Sequence, residues 1–358
     1  MATSPNLYMA ALFLLLGLLT AILGTGAQSI GVCYGMLGNN LPPVQEVVDL
    51  YKSLNIQRMR IYDPNQAALN ALRGSNIDVI VGVPNDKLQE MGTNPSYANT
   101  WVDTYIKPYW PAVRFRYIAI GNEAIPGPNA QYILNALQNM YNAIARAGLN
   151  QIKISTAIHM AVLEISYPPS HGSFSAEAAQ YLNSIISFIN SRQAPLLANV
   201  YTYFSYADNP RDISLPYALF TSPGVVVYDG SLQYQNLFDA MVDALYSAVE
   251  RVVGSNMEIV ISESGWPSAG GFAATIGNAQ TYNNNLIKHV GRGTPKRPGK
   301  AIETYIFAMF NENQKQPAGI EQNFGLFYPN KQPVYNINFT PSMQDDGIFS
   351  IISDVISF

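Results

Sequence analysis

Charge is scarce in this chain. Of its 358 residues only 12% are charged, and the formal net charge is −4. That is about half the usual charged share, and it gives no electrostatic reason to expect nucleic acid as a partner. Cysteine is scarcer still. Cys33 stands alone, which excludes an internal disulfide. It lies in an apolar run, where a buried, inert thiol is expected. His159, His171 and His289 are the three histidines, and none shows zinc-ligand spacing, so metal catalysis is disfavoured. No Walker-type phosphate loop occurs and no G-x-G-x-x-G follows a strand. The G-x-S-x-G elbow of a serine hydrolase is missing too. No cofactor is expected.

What the chain has instead is apolar and aromatic material: 48% hydrophobic residues and 11% aromatics, with 23 tyrosines. A large core is within reach. Residues Met9 to Gly24 are almost wholly apolar, and the small residues Thr25 and Ala27 follow. The pattern reads as a secretory signal peptide over residues 1–27, cut after Ala27, although its first residues carry no Lys or Arg. A membrane anchor is the alternative, but the run is shorter than the roughly 20 residues a spanning helix needs. Cleavage would expose Gln28, which could cyclise to pyroglutamate.

Eight strand-like runs follow at a steady interval: Ser29–Gly35, Arg58–Tyr62, Asp78–Pro84, Arg116–Glu123, Lys153–Ile158, Leu197–Phe204, Glu258–Trp266 and Thr304–Glu312. Most are continuous apolar stretches, the mark of parallel strands covered on both faces. Helical spacing appears between them over Leu41–Leu54, Gln131–Ala147, Gln235–Val253 and, more weakly, Ile276–Val290. Asn40 is the candidate N-cap of the first, with Pro42 and Pro43 near its start. The expectation is a single-domain (β/α)8 barrel over residues 28–339, with an open doubly wound sheet as the alternative. Tyr167–Ser175 and the basic Gly291–Lys300 read as loops. The long gaps after strands 5 and 6 have room for a cleft wall.

In such a barrel the site lies at the C-terminal strand ends. Those ends supply Tyr62 and Asp63, Asn122 and Glu123, Tyr203 and Phe204, Glu263 and Trp266, and Asn311 and Glu312. Carboxylates, amides and rings together suit a carbohydrate, whose hydroxyls need planar polar partners and whose C–H faces stack on aromatics. Two carboxyls can cleave a glycosidic bond if one is a protonated acid and the other stays ionised. Glu123 could equally be a structural carboxylate at a helix entry. Glu263 is expected to be hydrogen-bonded by Ser262 and Ser264, with Gly265 allowing a sharp exit, and Trp266 could pack rather than bind sugar. Glu312, Lys315 and Glu321 form a charged cluster, either a surface loop or a set in which Lys315 offsets nearby carboxylates.

Several segments carry a resemblance. Ile259-Val-Ile-Ser-Glu-Ser-Gly-Trp-Pro-Ser268 is similar to the signature of the plant endo-β-1,3-glucanases, glycoside hydrolase family 17. Ile30-Gly-Val-Cys-Tyr-Gly35, Arg58-Met-Arg-Ile-Tyr62, Ile120-Gly-Asn-Glu123, Leu197-Leu-Ala-Asn-Val-Tyr201, the Glu303–Asn313 segment and Phe324-Gly-Leu-Phe-Tyr328 match it in order. The resemblance implies a retaining endo-hydrolase of β-1,3-glucan with Glu263 as nucleophile and Glu123 as acid/base. It implies cleft contacts from Tyr62, Asn122, Tyr203 and Phe324, with substrate-binding and charge-tuning roles for Glu312, Lys315 and Glu321. Phe204 and Trp266 complete the candidate binding set. The physiological expectation is defence against fungi or callose turnover.

The tail resembles the removed propeptide of vacuolar members in place and character. It carries the sequon Asn338-Phe-Thr340, and residues 340–358 form an extension ending in a short apolar stretch. Vacuole and extracellular space are both open as destinations. A monomer is expected, without a membrane span after signal cleavage. A β-1,3-1,4-glucanase, a glucan transglycosylase and a non-catalytic glucan-binding protein are the competing readings.

Overall fold

The computed structural model describes residues 29–339. The signal segment with Gln28 and the 340–358 extension lie outside the described residues. Eight parallel strands close into a barrel: β1 (Ile30–Cys33), β2 (Arg58–Ile61), β3 (Asp78–Val83), β4 (Arg114–Asn122), β5 (Lys153–His159), β6 (Leu196–Asn199), β7 (Ile259–Ser264) and β8 (Thr304–Ile306). β1 closes the ring by pairing with both β2 and β8. Each of the eight expected runs overlaps one strand, so the barrel stands and the open sheet does not.

The four expected helices are present as α1 (Val44–Ser53), α5 (Ala130–Arg146), α9 (Leu237–Val253) and α10 (Ile276–His289). Shorter or less periodic helices fill the other connections: α2 (Gln66–Ala71), α3 (Leu88–Thr93), α4 (Pro95–Tyr105), α6 (Ala176–Ser191), α7 (Thr202–Asp208) and α8 (Leu215–Ala218). Side-chain caps start several of them. Asn65, Ser175, Asn236 and Thr275 each accept a backbone N–H from the first turn, satisfying donors that a helix leaves open. The expected cap Asn40 does not serve α1. Pro43 occupies that position with no side-chain bond, since its fixed φ suits a helix start by itself. Among the described residues no α-helix follows β8; a single 3-10 turn, Ile320–Gln322, stands there.

Two apolar layers result. The outer one lies between strands and helices and includes Val47, Met59, Leu69, Ile133, Ile186 and Leu245. The inner one fills the barrel with Cys33, Ile80, Tyr117, Leu197, Val260 and Tyr305. The N-terminal mouth is closed by an ionic plug. Glu303 accepts from Arg116 at 2.9 and 2.6 Å, from Tyr305 at 2.9 Å and from Tyr117 at 3.2 Å.

The long connections after β5 and β6 raise one wall at the opposite mouth. Two short antiparallel ribbons form it, Leu163–Ile165 with Ser173–Phe174 and Val227–Asp229 with Leu232–Tyr234. Ser170 ties them by donating its N–H and hydroxyl to Asp229 at 2.6 and 2.7 Å. The basic Gly291–Lys300 segment is not a wholly solvated loop. It folds into a ribbon with Gly293 and Thr294 buried, and Lys296 and Arg297 pair with Glu250.

Candidate active site

Both glutamates stand just beyond irregularities in the barrel. The register of β4 against β5 shifts between Ala119 and Asn122, and that of β7 against β6 shifts between Ile261 and Glu263. Such bulges re-aim side chains at functional ends of sheets. Here they turn Glu123 and Glu263 into a cleft of about 1450 Å³ at the C-terminal mouth. Tyr62, Asp63, Asn122, Tyr201 and Phe204 line it with them, and Tyr167 and Val226 extend it along the ribbon wall. Gly265 lets the chain leave β7, because a Cβ there would strike the Phe307 carbonyl.

Glu263 is buried and held by three donors. Its Oε1 accepts from Arg60 Nη1 at 2.9 Å and Tyr62 OH at 2.7 Å, and its Oε2 accepts from Tyr201 OH at 2.6 Å. An ionised carboxylate, an acceptor only, matches that set. Ser262 and Ser264 are not its partners. They flank Glu263 and point away from it, donating to Asn199 and sharing a bond with Tyr282.

Arg60 organises the floor of the site. Only 2% exposed, it reaches Asn199 Oδ1, the Ser262 carbonyl, Glu263 and Asn122 Oδ1 at 2.7–3.0 Å. Burial works against its charge, and Tyr62 and Glu263 outweigh that, so its pKa stands above the ordinary value. Tyr62 and Tyr201 are pushed well above the usual phenol range by burial, with Glu263 adding to the effect. Both therefore remain O–H donors. Cys33, beneath them, is pushed up to about 12 by burial. That thiol is inert.

Glu123 is held differently. It is open to the cleft, with φ +53°. Its Oε1 accepts one neutral bond, from Asn199 Nδ2 at 2.8 Å. The cleft walls strip water from its carboxyl and Glu263 adds a like charge, so its pKa is raised above 4.5. Glu123 does not cap a helix. The next one, α5, starts at Ala130.

The charged cluster after β8 faces the same cleft. Lys315 Nζ lies 3.1 Å from Glu321 Oε2 and 3.8 Å from the centre of the Phe307 ring. Glu312 is 3% exposed, and its Oε1 accepts from the Leu37 backbone at 2.8 Å. Burial raises its pKa. Gly35 is required beside it, as a Cβ there would collide with the carboxylate. Phe324 lies on the cleft, 5.6 Å from both Tyr201 and Phe307.

Two expected sugar contacts are not on the cleft surface. Trp266 is fully buried, donates Nε1 to the Ala273 carbonyl at 3.0 Å and packs on Tyr203, Tyr206 and Tyr282. Tyr203 is 2% exposed and sits in the same ring stack. β6 ends at Asn199 rather than running to Phe204, so α7 starts at Thr202 and turns Tyr203 inward. Tyr201 takes the cleft position instead. Asn311 is also structural, its Oδ1 accepting from Gly325 N at 2.8 Å. Arg60, Asn199 and Tyr201 are the site residues that strand-end reading missed. The signal for the first is an arginine between Met59 and Ile61 in a strand-like run.

A closed barrel with two unlike carboxyls at the ends of β4 and β7, in a long polar-aromatic cleft, defines a glycoside hydrolase architecture. The chain belongs to the glycosyl hydrolases family 17, whose model matches residues 30–339. It is 55% identical to a probable glucan endo-1,3-beta-glucosidase of Arabidopsis thaliana, over 95% of this chain and all of that protein. It is 52% identical to the basic vacuolar isoform GLB of Nicotiana tabacum, over 99% of this chain and all of the relative. Among solved structures, one from a study of two plant beta-glucan endohydrolases with distinct substrate specificities matches at TM-score 0.84 and 52% identity, covering 86% of this chain and 99% of that one. CJP38, a beta-1,3-glucanase and allergen of Cryptomeria japonica pollen, matches at 0.85 and 52%, covering 87% and 99%.

Proposed function

We propose that this protein cuts internal β-1,3-glucosidic bonds of β-1,3-glucan by a retaining double displacement. The observation that carries the chemistry is the asymmetry of the two carboxyls. Glu263 is braced by a guanidinium and two phenols, whereas Glu123 has one amide partner and a raised pKa. A carboxylate held by charge-assisted donors suits the nucleophile, and a carboxyl that desolvation keeps protonated suits the acid. The names of the relatives carry the linkage.

In the first step a Glu263 oxygen forms a bond to the anomeric carbon, while the bond from that carbon to the glycosidic oxygen breaks. Glu123 gives its proton to the departing oxygen. Desolvation still raises the Glu123 pKa, but the esterified Glu263 no longer carries charge, so its added repulsion is relieved and Glu123 acts as a base. It then takes a proton from water, the water oxygen bonds to the anomeric carbon, and Glu263 leaves as a carboxylate. Two inversions give net retention. Tyr62, Asn122, Phe204, Glu312, Lys315, Glu321 and Phe324 are proposed to hold the chain of sugars along the cleft. Tyr201 joins them.

The chain is further proposed to act alone, to enter the secretory pathway through cleavage after Ala27 with Gln28 closing to pyroglutamate, and to carry glycan on Asn338. That asparagine is exposed. The relatives named as vacuolar isoforms favour a vacuolar destination, and residues 340–358 are proposed to be a removed propeptide. Defence against fungi or callose turnover would suit that chemistry. The deciding experiment is product analysis by NMR on laminarin and mixed-linkage glucan side by side. A β-configured new reducing end from laminarin is expected first. An α-anomer would remove retention, and cleavage confined to mixed-linkage glucan would remove the β-1,3 assignment.

A further inference from the structure

Glu123 stands where the ordinary ladder runs out. β3 ends at Val83, which pairs with Ile120. No β3 backbone therefore lies opposite Asn122, the residue before the acid/base. A side chain continues the ladder. Asn85 Nδ2 donates to the Asn122 carbonyl at 2.8 Å, and Asn85 Oδ1 accepts from the Asn122 N–H at 2.8 Å. A primary amide presents the same donor and acceptor as a peptide group, so Asn85 substitutes for the missing strand residue. Its own carbonyl accepts from Asn129 Nδ2 at 3.0 Å. On the other flank the Glu123 N–H donates to the Ala157 carbonyl at 2.8 Å.

This segment needs outside restraint. Gly121 has φ +73° and Glu123 φ +53°, and a glutamate in the left-handed region persists only where its surroundings over-determine it. A Cβ at Gly121 would come within 2.9 Å of Leu88 Cδ1 and 3.0 Å of Asn85 Oδ1. Beside the segment lies a niche of about 250 Å³ that shares Tyr62, Asp63 and Asn122 with the main cleft. On this flank the Asn122 peptide is braced by its two bonds to Asn85.

We propose that Asn85 is a positioning residue for catalysis: its amide locks the Asn122 peptide and thereby aims the Glu123 carboxyl at the glycosidic oxygen. It touches no reacting atom. The proposal rests on the reading of Glu123 as acid/base, and the test separates the two.

Asn85→Ala and Glu123→Ala are compared with the native enzyme through kcat/KM on laminarin and on a 2,4-dinitrophenyl β-laminaribioside. The dinitrophenolate leaves without a proton, so its glycosylation step does not need the acid. A misaimed acid should cost Asn85→Ala roughly tenfold to a hundredfold on laminarin. The same variant should stay within about threefold on the activated glycoside. Equal losses on both substrates, or none on laminarin, would overturn the Asn85 role. If Glu123→Ala itself shows no such split, the acid/base reading fails and the proposal fails with it. Should Asn85→Ala not fold, Asn85→Asp carries the test. It keeps the acceptor for Asn122 N–H and loses the donor to the carbonyl, so a smaller split in the same direction is expected, and its absence overturns the proposal.

Discussion

Consider the removal of the Arg60 guanidinium with its volume kept, as in Arg60→Met. Native Arg60 and Glu263 meet at 2.9 Å with side chains 2% and 8% exposed. At that 2.9 Å separation and an effective dielectric of about 20 the Coulomb attraction is roughly 6 kcal/mol. Much of this is offset by the desolvation of both ions. The larger loss comes from leaving Glu263 buried without its cation, which costs about 3–5 kcal/mol. A double-mutant cycle isolates the pair. In Glu263→Gln the charge is already gone, so adding Arg60→Met should cost much less than it does in the native background, with a coupling of about 2–4 kcal/mol. Urea melts of the four proteins at one pH, with parallel slopes as the check on two-state behaviour, provide the free energies. A coupling below about 0.5 kcal/mol, the usual additivity limit, would refute the claim that Arg60 is held in place mainly by the Glu263 charge. The guanidinium would then be a brace for Asn122 and Asn199.

Other perturbations test other links. Tyr201→Phe removes a charge-assisted bond of about 1.5–3 kcal/mol from Glu263 Oε2; kcat/KM on laminarin should fall about tenfold to a hundredfold, and a loss under twofold would show that Tyr201 does not align the nucleophile. Glu123 has a raised pKa, so the folded protein keeps its proton after the unfolded chain has lost it, and stability falls as pH rises from 4.5 through the raised value. Glu123→Gln should therefore be more resistant to urea than the native chain at neutral pH and indistinguishable from it in acid, the reverse order counting against the desolvation argument. Asp243 is fully buried, its Oδ2 accepting from the Lys296 N–H at 2.9 Å, and burial pushes its carboxyl up from 3.8 to about 6. The same sign applies: stability is lost as pH rises from 3.8 to about 6, by on the order of 2–3 kcal/mol. Asp243→Asn should flatten the urea midpoint across that window.

The barrel is legible because most strands are apolar on both faces, a pattern that one chain can show without its neighbours. Helices α5 and α9 were legible for the same reason, each carrying a long apolar stripe. α6 was not, although Leu182, Ile185, Ile186 and Ile189 form its buried stripe; it follows an irregular ribbon that obscured where it begins. Glu123 and Glu263 were visible as carboxylates at strand exits. The errors at Tyr203 and Trp266 share one cause. Strand geometry stops at Asn199, before the chain turns into α7, and at Ser264, where β7 ends. Beyond a strand end, side-chain direction is set by the next turn, which periodicity does not encode. Charge inside a strand looks like an exception in the sequence, because the partners of Arg60 come from β4, β6 and β7 and only closure of the barrel brings them together.

Those partners also bear on why the two glutamates behave as one device. Arg60 binds Glu263 directly and binds Asn122 and Asn199 through their Oδ1 atoms. Asn199 in turn donates to Glu123 Oε1 at 2.8 Å and to Asn122 Oδ1 at 3.0 Å. Glu263 is therefore fixed to the buried cation directly, and Glu123 is fixed to it through the single amide side chain of Asn199. A chain of amides carries no net charge, so it holds the pair in register without neutralising Glu123. Replacing Asn199 by Asp would keep the size and break that neutrality by placing a third carboxylate between the two. It would also remove the only hydrogen-bond donor seen on Glu123 among the described residues. Like charge beside Glu123 raises its pKa further, so the basic limb of any residual activity of Asn199→Asp should move to higher pH. A limb that stays in place would mean that the amide link does not couple the two carboxyls.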